Sequence, residues 1–92
     1  MDANDGRRVT GWLPELIVEG ATNPVIQVIE ESTGDILYTV RSPKSRFQPR
    51  VYSTGAHTVR VGRDRPDLVT LTGLNPQSKD TAGRRDIQLE HR

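Results

Sequence analysis

Asp64 and Asp67 lie three residues apart in the stretch GRDRPD, and a carboxylate pair is the commonest apparatus for general acid/base chemistry. Here Arg63 and Arg65 flank the pair. The Gly and Pro around them favour a turn over a catalytic dyad. Glu30, Glu31 and Asp35 form a second acidic group, but without the interleaved spacing of a calcium loop, and read as a solvated hairpin tip. The two histidines, His57 and His91, have no third ligand at helpful spacing, and neither HxH nor HExxH occurs. His57 follows a turn and reads as a half-exposed strand residue. None of the five serines sits in GxSxG, and no Cys is present to act as nucleophile or thiolate ligand. GRDRPD and TGLNP match neither phosphate-loop pattern. No catalytic, cofactor-binding or metal-binding residue is therefore assigned, and no cofactor is expected.

The remaining chemical signal is basic. Residues 1–40 hold two arginines against seven carboxylates, a net −5. Residues 41–65 hold seven cations against Asp64 alone, a net +6. Within Arg41–Arg50, RSPKSRFQPR, cations surround Phe47, with Tyr52 just beyond. Arg41, Arg46, Arg50 and Arg60 are the candidate ligand-binding face; by alternation the last three leave the core side of their strands. Such a mix of cations and aromatics would take a nucleic acid or an acidic glycan through phosphate or sulfate contacts plus stacking. Nucleic acid is disfavoured, because alternation turns Phe47 inward and removes it from stacking. The competing structural reading pairs the acidic and basic strands so that they neutralise one another. Trp12 could serve as a carbohydrate platform, but a lid over one end of the core is the commoner role.

The elements that would position these residues show period-two alternation broken by Gly/Pro turns. Ile36–Arg41 places Ile36, Tyr38 and Val40 on one face, and His57–Val61 places Val59 and Val61 on one face. Further strands are expected at Glu15–Glu19, Val25–Glu30, Arg46–Tyr52, Leu68–Thr72 and Asp86–Glu90. Val25–Glu30 is apolar on both faces and should be central. Pro49 cannot donate to a ladder, so its strand is an edge or carries a bulge. The expected inward set is Leu16, Val18, Ile26, Val28, Ile36, Tyr38, Val40, Phe47, Val51, Val59, Val61, Val69, Leu71, Ile87 and Leu89. Leu74–Arg85 reads as a long polar loop or linker.

The fold class expected is all-β: an immunoglobulin/fibronectin-III-like antiparallel β-sandwich of about seven strands. At 92 residues the chain suits one domain, with residues 1–8 a disordered tail and 9–92 the sandwich. The hydrophobic fraction, 33%, is low beside a globular average of roughly 45–50%, consistent with such a tail. Absence of Cys excludes a disulfide scaffold. No apolar run approaches the ~18 residues of a membrane span, and no signal-peptide core is expected in these residues.

Residues 23–62, NPVIQVIEESTGDILYTVRSPKSRFQPRVYSTGAHTVRVG, resemble a C-terminal accessory domain found in bacterial, particularly planctomycete-type, alkaline phosphatase D-like metallophosphatases. The resemblance rests on VIQVIEESTGDILYTVR, RFQPRVY and GAHTVRVG in that order. It implies an exported, extracytoplasmic parent hydrolase acting on phosphoesters, whose catalytic metal ligands lie in another domain. This chain would then be a non-enzymatic, phosphatase-associated accessory domain, monomeric when isolated, with the parent's other domains as its partners. The alternative is a polyanion- or carbohydrate-binding module using the basic strand face.

Overall fold

The computed structural model describes residues 9–89. The expected tail at 1–8, His91 and the end of the last expected strand, Glu90, lie outside the described residues.

Among the described residues nine strands occur in this order: β1 Gly11–Trp12, β2 Glu15–Glu19, β3 Val25–Glu30, β4 Asp35–Arg41, β5 Arg46–Phe47, β6 Arg50–Val51, β7 His57–Gly62, β8 Val69–Leu74 and β9 Arg84–Gln88. No helix is found among the described residues, and hence none long and apolar enough to cross a membrane. The strands form a four-stranded sheet β4-β3-β7-β8, a three-stranded sheet β5-β2-β9 and a two-stranded ribbon β1-β6. Side chains from all three meet in one apolar cluster: Leu16, Val18, Val51 and Ile87 from one side, Ile26, Val28, Val59 and Val61 from the other. Each such side chain contributes roughly 1.5–3 kcal/mol on burial.

β3 is central, as its two-sided apolar sequence requires, with β4 and β7 as antiparallel neighbours. The β3–β4 hairpin closes through Gly34, whose N–H donates to the Glu30 carbonyl at 2.8 Å. Thr33 Oγ1 accepts from the Asp35 N–H at 3.1 Å. β2 and β3 lie in different sheets, whereas β3 and β4 are hydrogen-bonded neighbours.

The antiparallel expectation has one exception. β2 and β9 run parallel, from Glu15 beside Arg84 to Glu19 beside Gln88. Two strands from opposite ends of the chain have no tight turn to fix their direction, so period-two patterning cannot reveal it.

The expected strand over Arg46–Tyr52 is divided. β5 pairs with β2 and β6 pairs with β1, so the two pieces still follow a single partner segment. Between Trp12↔Arg50 and Leu16↔Phe47, three residues oppose two, and this irregularity contains Pro14 and Pro49. Neither proline has an N–H to give a ladder. The Leu13 N–H bridges the gap by donating to the Pro49 carbonyl at 2.9 Å.

Two bulges alter the expected faces. Val28 opposes Tyr38 and Ile29 opposes Ile36, so Leu37 is an extra residue in β4. As a result Ile36, expected inside, is 58% exposed, and Leu37 packs against the core. In β8, Leu71 opposes Val59 and Leu74 opposes His57, leaving Thr72 and Gly73 as the irregular pair. Gly73 takes a φ of 69°, which a side chain would oppose.

Leu13, Val25 and Leu74 are buried members of the core that alternation did not place there. The segment 74–85 is shorter as a loop than expected, because Leu74 ends β8 and Arg84 begins β9. It is pinned to β1: Trp12 N–H donates to Gln77 O at 2.7 Å, and Gln77 N–H to Trp12 O at 2.9 Å.

Candidate functional site

The four arginines of the expected basic face are all exposed, but they are divided among the sheets. Arg60 stands on β7 opposite Gln27 and Thr70, on the side away from Val59 and Val61. Arg41, at the end of β4, spends its guanidinium on the chain itself: Nη1 donates to Asn23 O at 2.9 Å and to Arg63 O at 3.2 Å. Arg46 stands on β5 opposite Ile17, and Arg50 on β6 opposite Trp12. The expected neutralisation between strands is a matter of proximity at most. Glu15 lies in register with Arg84, yet the ion pairs found among the described residues are local, Arg65–Asp67 at 3.7 Å and Arg84–Asp86 at 3.6 Å.

A different feature brings side chains together. A cleft of about 390 Å³ opens where β4 faces β5 and β6. It is lined by Trp12, Leu37, Tyr38, Val40, Phe47, Gln48, Arg50 and Tyr52. The chain contains one Trp, one Phe and two Tyr, so every aromatic side chain it has contributes to this one surface. The size falls in the range of about 300–1,000 Å³ typical of ligand pockets, and the lining mixes aromatic and aliphatic side chains with the polar groups of Gln48, Arg50 and the two tyrosines.

Each part of the cleft follows from a local rule. β4 is the outer strand of its sheet, so its inward residues Tyr38 and Val40 sit at the margin of the core instead of its centre. The bulge at Leu37 adds a neighbouring apolar side chain to Tyr38. Phe47 enters from β5 opposite Leu16. Trp12 is half-buried on β1, and the Lys79 ammonium lies 5.0 Å from its ring centroid, a cation–π contact.

Polar bonds fix the cleft walls. Tyr38 Oη donates to the Arg50 carbonyl at 2.7 Å, joining β4 to β6. Arg50 Nε donates to Tyr52 Oη at 3.3 Å. Gln48 Nε2 donates to Leu13 O at 3.2 Å and to Lys79 O at 3.1 Å, which fixes its amide nitrogen. Burial first, then the nearby Tyr52, pushes the Tyr38 phenol up to about 12. Of the four expected arginines, Arg50 alone lines this cleft.

His57 is fully buried, not half-exposed. Its Nδ1 lies 2.9 Å from Gly55 O and its Nε2 3.5 Å from Ser53 Oγ, so the ring fastens the turn before β7. Asp64 and Asp67 remain in the loop after β7, where Asp67 pairs with Arg65. Arg63 donates to Gly20 O at 3.0 Å and Leu89 O at 3.2 Å, drawing that loop onto the other layer. Among the described residues no cluster of three potential metal ligands occurs.

The sequence sets Phe47 and Tyr52 together in the basic segment, but it gives no sign that Trp12 joins them. The available signal was scarcity: with so few aromatics, three of them within Tyr38–Tyr52 marked that segment. Their convergence with Trp12 depends on the β1–β6 pairing, which two-residue strands do not announce.

No family model matches the chain, and neither curated proteins nor solved structures give a match.

Proposed function

We propose that this chain is a non-catalytic β-sandwich interaction module, carried by a larger exported enzyme, with the aromatic cleft as its working surface. The observation that carries this reading is the gathering of every aromatic side chain into one cleft beside Arg50. Such a surface costs stability if left wet, and it is the composition by which proteins hold a ligand. The immunoglobulin-like description is supported by the layered packing of largely antiparallel sheets around one core.

The metallophosphatase-type parent is suggested by the resemblance over residues 23–62. That stretch corresponds to a continuous part of the fold, from the β3–β4 hairpin through the crossing to β7, which returns beside β3. In this reading the parent supplies phosphoester chemistry and the module is extracytoplasmic with it. The polyanion alternative narrows to Arg50, because Arg46 does not line the cleft, Arg41 and Arg60 stand on the four-stranded sheet, and Arg41 is engaged by main-chain oxygens.

The test is turnover. The 92-residue chain is incubated with chromogenic phosphomonoesters and phosphodiesters, with and without divalent metal. The module reading expects no rate that responds to substitution of its own residues. A measurable rate abolished by a point substitution overturns it.

A further inference from the structure

We propose that the cleft between β4 and β6 binds an anionic sugar, a pyranose bearing a carboxylate or sulfate, with its ring against the aromatics and its charge on Arg50. The inference rests on the module reading and names the ligand for its surface.

Three observations select this chemistry. The first is shape: Trp12, Tyr38 and Tyr52 offer flat side chains that are apolar in body and polar at one edge. A pyranose has the matching character, with C–H groups on its face and hydroxyls around its rim. The second is charge. Arg50 is the one cation among the lining side chains, and no carboxylate stands among them to oppose a bound anion. Its planar guanidinium is suited to two-pronged contact with carboxylate or sulfate. The third is charge density. A nucleic acid carries a phosphate at every nucleotide and needs a track of cations. One guanidinium beside aromatic side chains suits a ligand that presents a single carboxylate or sulfate to the cleft. The wall bonds, Tyr38 to Arg50 O and Arg50 Nε to Tyr52, hold the site in shape before a ligand arrives.

Trp12 is the chain's one tryptophan, so its fluorescence reports the cleft directly. The chain is titrated at low and moderate salt with tetragalacturonate, a sulfated heparin tetrasaccharide, neutral maltotetraose and an oligothymidylate. The expected result is saturable change with one or both acidic sugars, identifying carboxylate or sulfate as the source of charge. Arg50→Gln should weaken that binding about tenfold or more, while Arg60→Gln, on the other sheet, should leave it unchanged. Circular dichroism establishes that both variants are folded. Equal response to maltotetraose, or binding indifferent to Arg50→Gln, overturns the proposal, as does response to the oligonucleotide alone. These three outcomes still leave the module a binding surface. Silence with all four probes overturns the ligand assignment, whereas only phosphoester turnover overturns the non-catalytic reading.

Discussion

Tyr38 hands its phenolic hydrogen to the main-chain oxygen of Arg50 at 2.7 Å, a bond between the outer strand of one sheet and the ribbon of the facing layer. The two are twelve residues apart, and the chain between them changes layer. This bond closes one wall of the aromatic cleft.

It should be visible in alkaline unfolding. The unfolded phenol titrates near 10 and the folded one at about 12. Between those values the unfolded chain has released a proton that the native chain still holds. Stability from Tyr38 is therefore full below pH 10 and falls as the pH rises toward 12. Allowing for partial solvent screening, the loss is about 1 kcal/mol. Tyr38→Phe should lower stability at neutral pH by about 1 kcal/mol and flatten the decline. Urea midpoints for both proteins from pH 8 to 12 measure the difference; parallel curves would refute the assignment.

The β4 bulge predicts an inversion of ordinary alternation. Ile36→Lys should change stability by no more than about 0.5 kcal/mol, because its side chain faces solvent. Leu37→Ala should cost about 1–2 kcal/mol, below the 2–5 of a fully buried leucine because the site is only partly covered. Thermal or urea unfolding of the pair decides. A costly Ile36 beside a silent Leu37 would mean the extra residue lies elsewhere.

These two positions also show what sequence could and could not convey. Strand existence was legible because Val25–Glu30 and His57–Gly62 carry β-branched residues between Gly-containing turns, a local signal. Their neighbours in the core followed: Ile26, Val28, Val59 and Val61 are all buried as expected. Ile36 failed because a bulge breaks the period of two without marking the sequence. Leu13 failed because it lies beside Pro14, outside any alternating run, and the parallel β2–β9 pair failed because it depends on distant partners. The cleft was legible only as scattered aromatics, since tertiary pairing brings Trp12 opposite Arg50 on β6, two residues before Tyr52.

Glu31 should govern part of the acid limb. Its Oε2 accepts from the Gly73 N–H and from Thr58 Oγ1, each at 2.7 Å, and so secures the β8 irregularity. The Gly73 bond first, then Thr58, holds the carboxyl below its usual 4.5. Its contribution is present above that value and is lost as pH falls through the lowered folded one. Glu31→Gln should be less stable at neutral pH and should lose less on acidification. Denaturation midpoints at pH 7, 4.5 and 3 provide the comparison, and an unchanged acid limb would count against this role.

Gly62 is required by space. A Cβ there would overlap the Arg65 carbonyl oxygen and crowd the Asp67 nitrogen at 3.0 Å, main-chain atoms that cannot swing aside. Gly62→Ala should cost about 3 kcal/mol. Gly34 is the contrast: its φ is +77° but nothing lies within 4 Å of an added Cβ, so Gly34→Ala should cost only about 1 kcal/mol. Calorimetry on both variants should rank them in that order, and equal costs would exclude the steric account.

The parallel docking of β9 on β2 has a consequence for how the protein comes into being. Glu19 and Gln88, joined across that seam, are 69 residues apart. During synthesis, β2 must wait for nearly the whole described fold before its second neighbour exists. Until then the row of N–H and C=O groups along Glu15–Glu19 is a free edge, with Leu16 and Val18 on the same strand. Such distant closure slows folding, because the ordering cost comes before the contacts that offset it. The nascent chain's most exposed period therefore belongs to its earliest-made long strand, and a chaperone that covers ELIVE would protect it until the last strand arrives.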